Sequence, residues 1–244
     1  LPDNAKSPKS IFGIDSFKPI QVSNLDLDQV KERRKKFTRD EWLDLILQTV
    51  GYDPSAFSHR EKLLFLLRCL PLIESNYNYV ELGPRGTGKS YLYREISPHS
   101  ILISGGKTTV AKLFLNLNTG RIGLVGRWDV VAFDEVGGLQ FSDSEAVQML
   151  KDYMESGSFS RGTEELTAQA SMVYVGNIDL DVEGVLKSSH LFEPFPDDMQ
   201  DLALIDRFHY YLPGWEVPKM RSEFFGEQFG FIVDYFAEFV RELR

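Results

Sequence analysis

A chain of 244 residues with 43% hydrophobic side chains can bury one large core, or a core and a small satellite. Its formal charge of −9 argues against a dedicated nucleic-acid binder, and its single cysteine, Cys69, excludes an internal disulfide and fits a reducing compartment. No apolar run approaches the roughly 18 residues that span a bilayer, so a soluble, cytoplasmic protein with no membrane partner is expected. The opening Leu1 and a closing helical pattern that stops without a cap are read as marks of a piece cut from a longer protein.

The average charge hides an uneven distribution. Residues 132–206 hold 16 acids and 3 basic residues, whereas residues 96–128 hold no acid at all beside Lys107, Lys112, Arg121 and Arg127. The first 28 or so residues mix Pro, Ser and Asn without periodicity and predict an extended lead-in. The basic run "KERRKKFTR" that follows reads as a solvated helix face or a linker. Thr38 stands three before Glu41 and Ser58 three before Glu61, two capping boxes that open amphipathic helices. Pro71 is expected to end the second. A strand at "YNYVEL" enters "GPRGTGKS", a helix over "KSYLYREI" leads to a second strand at "SILIS", and "DVVAFDE" makes a third. Ser142 and Glu145 suggest a third capping box, followed by a hairpin candidate, a strand at "ASMVYVGN", a short helix before Arg207 and a fifth strand at "FHYYL". Strands alternating with helices predict an α/β fold with a five-stranded, mainly parallel sheet between helices.

The segment Gly83, Pro84, Arg85, Gly86, Thr87, Gly88, Lys89, Ser90 fits the phosphate-loop pattern, with a strand before it and a helix after. Its glycines let successive N–H groups converge on phosphate oxygens, Lys89 brings a mobile point charge to the β- and γ-phosphates, and Ser90 offers a hydroxyl to Mg²⁺. The cofactors expected are therefore ATP and Mg²⁺. The apolar strand ending in Asp134 and Glu135 supplies what such a site needs next: Asp134 for the metal shell and Glu135 to polarise the attacking water. Asn177, at the end of the fourth strand, is placed to orient that water or to sense the γ-phosphate. Arg207 interrupts an apolar run in "DLALIDRFHYY", which makes its charge costly without a partner. That partner is either Asp206 beside it or a group outside the chain. Adjacent residues diverge, so Asp206 is a poor neutraliser.

The ordered set "GPRGTGKS", "VVAFDE", "VYVGN" and "LIDRF" resembles an AAA+ ATPase core, similar to the minichromosome-maintenance helicases and to Lon. The stretches "FTRDEWLDLIL", "GRWDVVAFDEVGGLQF" and "PFPDDMQDLALIDRFHYYLPGWEVPKM" resemble more closely the BrxL family, the Lon-like ATPases of BREX bacteriophage-exclusion systems. The resemblance implies an antiviral ATPase working as a homo-oligomeric ring, hexamer or heptamer, with DNA and other BREX components as partners. It implies that Arg207 is an arginine finger serving a neighbouring subunit's site. It also sets the organisation: a lead-in over 1–36, a helical segment over 37–76, the α/β core over 77–216 and the start of a truncated lid over 217–244. No Ser-Lys protease dyad is found, so peptidase activity is not predicted. In the similar helicases the insert between the second and third strands lines the central channel, which makes Lys107, Lys112, Arg121 and Arg127, with Arg161 on the later hairpin, candidates for sequence-independent DNA contact. A protein unfoldase gripping through "IGLVG" and a nucleotide-gated assembly switch stay open as alternatives.

Overall fold

The structure, a computed structural model, describes residues 25–141, 144–178, 182–188 and 190–244. Its strands are β1 (Tyr79–Gly83), β2 (Ser100–Thr108), β3 (Leu115–Asn116), β4 (Arg121–Ile122), β5 (Val130–Phe141), β6 (Ser158–Arg161), β7 (Glu164–Thr167), β8 (Ser171–Asn177) and β9 (Tyr210–Pro213). Five form a central sheet in the order β2-β5-β8-β1-β9, with every neighbouring pair parallel, so the sheet is wholly and not merely mainly parallel. The helices are α1 (Leu27–Arg34), α2 (Arg39–Thr49), α3 (His59–Leu67), α4 (Leu70–Ile73), α5 (Val110–Leu113), α6 (Ser144–Ser156), α7 (Val182–Ser188), α8 (Leu202–Ile205) and α9 (Val233–Arg241). Among the described residues no helix is long and apolar enough to cross a membrane.

A parallel sheet covered on both faces needs strands that are apolar on both sides, and β1 and β8 are buried almost throughout. Side chains alternate between the faces. Val80, Leu82, Phe133 and Tyr174 join Met149, Leu150 and Tyr153 of α6 in one cluster, while Tyr79, Ala132, Val173 and Val175 join Leu43, Leu47, Phe65, Phe236 and Val240 in the other. Two of the expected capping boxes form. The Thr38 hydroxyl accepts from the Glu41 N–H at 3.2 Å and the Glu41 carboxylate accepts from the Thr38 N–H at 2.8 Å, and Ser58 and Glu61 repeat the exchange. Each such cap contributes about 1 kcal/mol. The Ser142 half of the third box lies outside the described residues.

Several expectations need correction. The lead-in is not extended up to residue 36: Leu27–Arg34 is helical, capped by Asp26, whose side chain accepts from the Gln29 N–H. Pro71 does not end a helix but stands in the first turn of α4, where its missing N–H has no intrahelical partner to lose. The segment after the phosphate loop winds as a π-helix over Leu92–Ile96 and not as a regular α-helix. Apart from these corrections, residues 217–244 run back along α2: the Asp53 N–H donates to the Phe224 carbonyl and the Phe231 N–H to the Thr49 hydroxyl. The helix α9 then buries Phe236 and Val240 in the cluster shared with α2 and α3.

Candidate functional site

β1 ends at Gly83 and the chain turns back over the edge of the sheet. Gly86 (φ 82°) and Gly88 (φ 74°) hold left-handed conformations that a side chain resists. A Cβ on Gly88 would also come within 3.1 Å of the Tyr52 hydroxyl. The Met220 N–H donates to the Gly86 carbonyl at 2.7 Å, so the chain after β9 closes one side of the loop while Tyr52 lies against another.

Lys89 as a whole residue is 7% exposed. It donates to the Gly83 carbonyl (3.1 Å), the Pro84 carbonyl (2.7 Å) and Asn177 Oδ1 (3.3 Å). Burial lowers its pKa, Glu81 and Asp134 oppose that, and Arg68 adds to it. The register of β1 on β8 sets Gly83 level with Asn177, so the first loop residue and the expected sensor meet by strand pairing alone. The oxygen of the Asn177 amide is the atom that faces the ammonium, which leaves its NH₂ for another acceptor.

Asp134 and Glu135 lie one strand further along. β2 and β5 pair regularly up to Ser104 with Asp134, then resume with Gly106 opposite Leu139, so residues 135–138 bulge out of the ladder. Glu135 is exposed and left-handed (φ 54°), one of two non-glycine residues with positive φ among those described. Its N–H donates to Asp134 Oδ1 at 3.0 Å, tying the two acids together. A strained residue at the expected catalytic position is the pattern in which the surrounding fold holds a reactive group in place.

These residues fit ATP and Mg²⁺. The Lys89 ammonium is gathered among carbonyl oxygens at the loop, Gly86 and Gly88 hold the left-handed turns such a cradle of backbone N–H groups needs, and the Thr87 hydroxyl is buried without a hydrogen-bond partner. Among the described residues no cluster of three or more His, Cys, Asp or Glu side chains stands ready for a metal. A cation held by Ser90 and Asp134 would complete its shell with phosphate and water oxygens, the habit of Mg²⁺.

Arg207 is at the other end of the sheet. The neighbouring His209 N–H bonds the Asn78 carbonyl, level with the start of β1, and five strand residues separate that level from the phosphate loop, about 16 Å at ~3.3 Å per residue. Arg207 therefore cannot serve its own chain's phosphate loop. Within the chain its charge is met not by Asp206, one of the two alternatives raised from sequence, but by groups on α6 and α8. Nε donates to the Lys151 carbonyl at 2.8 Å, Nη1 to the Ala203 carbonyl and Nη2 to the Glu155 carboxylate, all within the chain. The pair is partly open to solvent, with Glu155 66% exposed.

Lys107 on β2, Lys112 on α5, Arg121 on β4 and Arg127 after the turn at Leu124–Gly126 are all exposed, and no ion pair involves them among the described residues. Arg161 differs. It is half-buried at the end of β6, and its guanidinium donates to the Leu115 carbonyl of β3, which ties the β6–β7 hairpin to the insert. Its guanidinium is thus partly engaged within the chain, unlike the four cations of the insert. Neither arginine at the end of α9 approaches the loop: Arg241 pairs with Asp129 at 2.9 Å, and Arg244 bonds the Pro71 and Gln169 carbonyls and the Ser171 hydroxyl.

Two residues the sequence reading passed over sit directly beneath the loop. Arg68, 2% exposed, and Glu81, fully buried on β1, form a two-pronged ion pair, with Nε to Oε2 at 2.9 Å and Nη2 to Oε1 at 2.5 Å. The remaining arm, Nη1, donates to the Thr87 carbonyl at 3.0 Å. Each charge interrupts an apolar run, "KLLFLLRCLPL" and "YNYVEL", the same signal that drew attention to Arg207.

A family model described as "Lon-like protease BrxL-like, ATPase domain" matches residues 12–244. The chain is 56% identical over 243 residues to the Lon-like protease BrxL of Bacillus cereus (strain H3081.97), covering 99% of this chain and 36% of that protein. It is 55% identical over 235 residues to the Lon-like protease BrxL of Escherichia coli O9:H4 (strain HS), covering 96% of this chain and 34% of that one. The chain thus spans about a third of the length of the relatives it matches.

Proposed function

The chain belongs to the BrxL-like ATPase-domain family, and from that premise we propose that it is the ATP-hydrolysing core of a cytoplasmic BREX defence protein that forms a ring and engages DNA. The observation that carries the hydrolytic part is the meeting of Lys89 with Asn177 at the phosphate loop, beside a carboxylate held on a bulge. Bound ATP would supply the electrophilic γ-phosphorus, and Mg²⁺ would neutralise charge on the β- and γ-oxygens. The backbone N–H groups of residues 85–90 and the Lys89 ammonium would hold the phosphates, and Ser90 with Asp134 would hold the cation. Glu135 takes a proton from the attacking water, and the NH₂ of Asn177 keeps that water or a phosphate oxygen in line. Arg207 points away from its own site and belongs to the contact with the next subunit, where a guanidinium stabilises charge developing on the γ-phosphate. A contact of that head-to-tail kind repeats into a closed ring.

The four exposed cations of an acid-free insert support DNA as the partner, held by its backbone without sequence reading. "IGLVG" would serve an unfoldase, but Leu124 and Val125 are buried, which leaves Ile122 as its one exposed apolar side chain. ATPase rates of the complete protein with duplex DNA, single-stranded DNA or an unfolded polypeptide test the reading. Stimulation by DNA is expected. Stimulation by polypeptide alone would favour the unfoldase, and none by any of them the assembly switch.

A further inference from the structure

Two opposite charges taken wholly out of water cost several kcal/mol, and apolar residues of the same volume commonly do as well or better for stability. The Arg68–Glu81 pair therefore asks for a reason beyond folding. Glu81 holds two of the three nitrogen arms of Arg68, fixing the guanidinium plane, and the third reaches the Thr87 carbonyl inside the phosphate loop. The peptide after Thr87 is trans, as is every peptide described. In a trans peptide the carbonyl and the following N–H point opposite ways. Drawing the Thr87 oxygen down onto Arg68 thus turns the Gly88 N–H up, away from the core. The carbonyl of Arg68 itself accepts from the Tyr93 hydroxyl at 2.8 Å, in the π-helix that follows the loop. One buried residue so holds the loop through its side chain and the next turn through its backbone.

Resting on the nucleotide-binding reading, we propose that Arg68 and Glu81 are positioning residues for ATP: the buried pair presets the Thr87–Gly88 peptide so that the Gly88 N–H faces the phosphates before they arrive. Neither side chain touches nucleotide. Their contribution is to remove the cost of ordering the loop on binding.

The test separates this role from stability. In the complete protein, Arg68→Met with Glu81→Leu removes both charges and the tether together, and Arg68→Lys keeps the charge opposite Glu81 but loses the planar fork that reaches Thr87. Melting temperature without nucleotide and affinity for a fluorescent ATP analogue are measured for each, with Lys89→Ala as the control that empties the site. The proposal expects both variants to melt within a few degrees of the parent while their dissociation constants rise about tenfold or more, with kcat at saturating ATP reduced less than kcat/KM. Unchanged affinity in either folded variant overturns it. Should the double variant fail to fold, Arg68→Lys decides by the same two measurements. If the parent itself binds no more analogue than Lys89→Ala, the nucleotide reading fails first, which is a different result from a parent that binds and variants that bind equally well.

Discussion

Glu135 offers a test in which backbone and chemistry separate. Its φ of 54° lies in the left-handed region, which costs an L-residue roughly 1–2 kcal/mol and glycine almost nothing. At an ordinary position alanine is more stable than glycine by roughly 0.5–1 kcal/mol, because glycine loses more freedom on folding. At position 135 the order should invert. Both Glu135→Ala and Glu135→Gly remove the carboxylate, so their difference reports the backbone alone, and glycine should win by about 0.5–1 kcal/mol. For a domain of this size that is about 1–4 °C in Tm. The same two proteins, and Glu135→Gln, should bind ATP but lose hydrolysis by about 10²–10⁴-fold, the range of a general base. Thermal unfolding of the Ala and Gly variants, paired with a phosphate-release assay, gives both numbers. An alanine variant as stable as the glycine variant would refute the strain, and normal turnover in Glu135→Gln would refute the base.

Replacing Lys107, Lys112, Arg121 and Arg127 by Gln should weaken DNA binding and flatten the slope of log affinity against log salt by up to about 3–4, at ~0.9 per duplex phosphate contact; binding unchanged across several salt concentrations would remove the insert from the interface. Arg207→Ala and Lys89→Ala subunits, each inactive alone, should regain part of the ATPase rate when mixed, and no recovery at any ratio would count against a finger acting between subunits. Cys69 is 3% exposed and burial pushes its thiol up to about 12. With the folded value above the unfolded one, the thiol stays protonated and unreactive at pH 8, and ionisation in the unfolded chain costs stability as pH rises from about 9 towards 12. Iodoacetamide should therefore label Cys69 at the rate of unfolding, and fast labelling of folded protein would contradict this burial.

What was legible in the sequence was what adjacent residues decide among themselves. A capping box needs two residues three apart, and both boxes within the described residues formed. The phosphate-loop pattern needs one strand end and one loop, and Lys89 and Asn177 followed because parallel strands bring their ends to one edge. The bulge at 135–138 was not legible, since it is a mismatch between β2 and β5, and "DVVAFDE" alone reads as a strand that stops at its acids. Arg207 was singled out correctly as a charge needing a partner, but Glu155 lies 52 residues earlier on α6, and only the packing of α6 against α8 brings them together. Arg68 and Glu81 were open to the same reasoning. Each is a charge inside an apolar run, and the two such runs in succession could have been matched to each other.

The bulge has one more consequence. While β5 loops out, β2 passes it in a single residue, Gly105, and the two strands pair again from Gly106 with Leu139 to Thr108 with Phe141. This stub stands past the last pair that β5 makes with β8, Phe133 with Tyr174. Lys107 rides on it, three residues from the Ser104 that pairs with Asp134. Lys107 and the acid pair thus belong to one two-stranded ribbon. Under the proposed function, a pull on Lys107 would load the ladder that flanks the bulge carrying Glu135, so the proposed grip and the proposed general base would be two ends of one short beam.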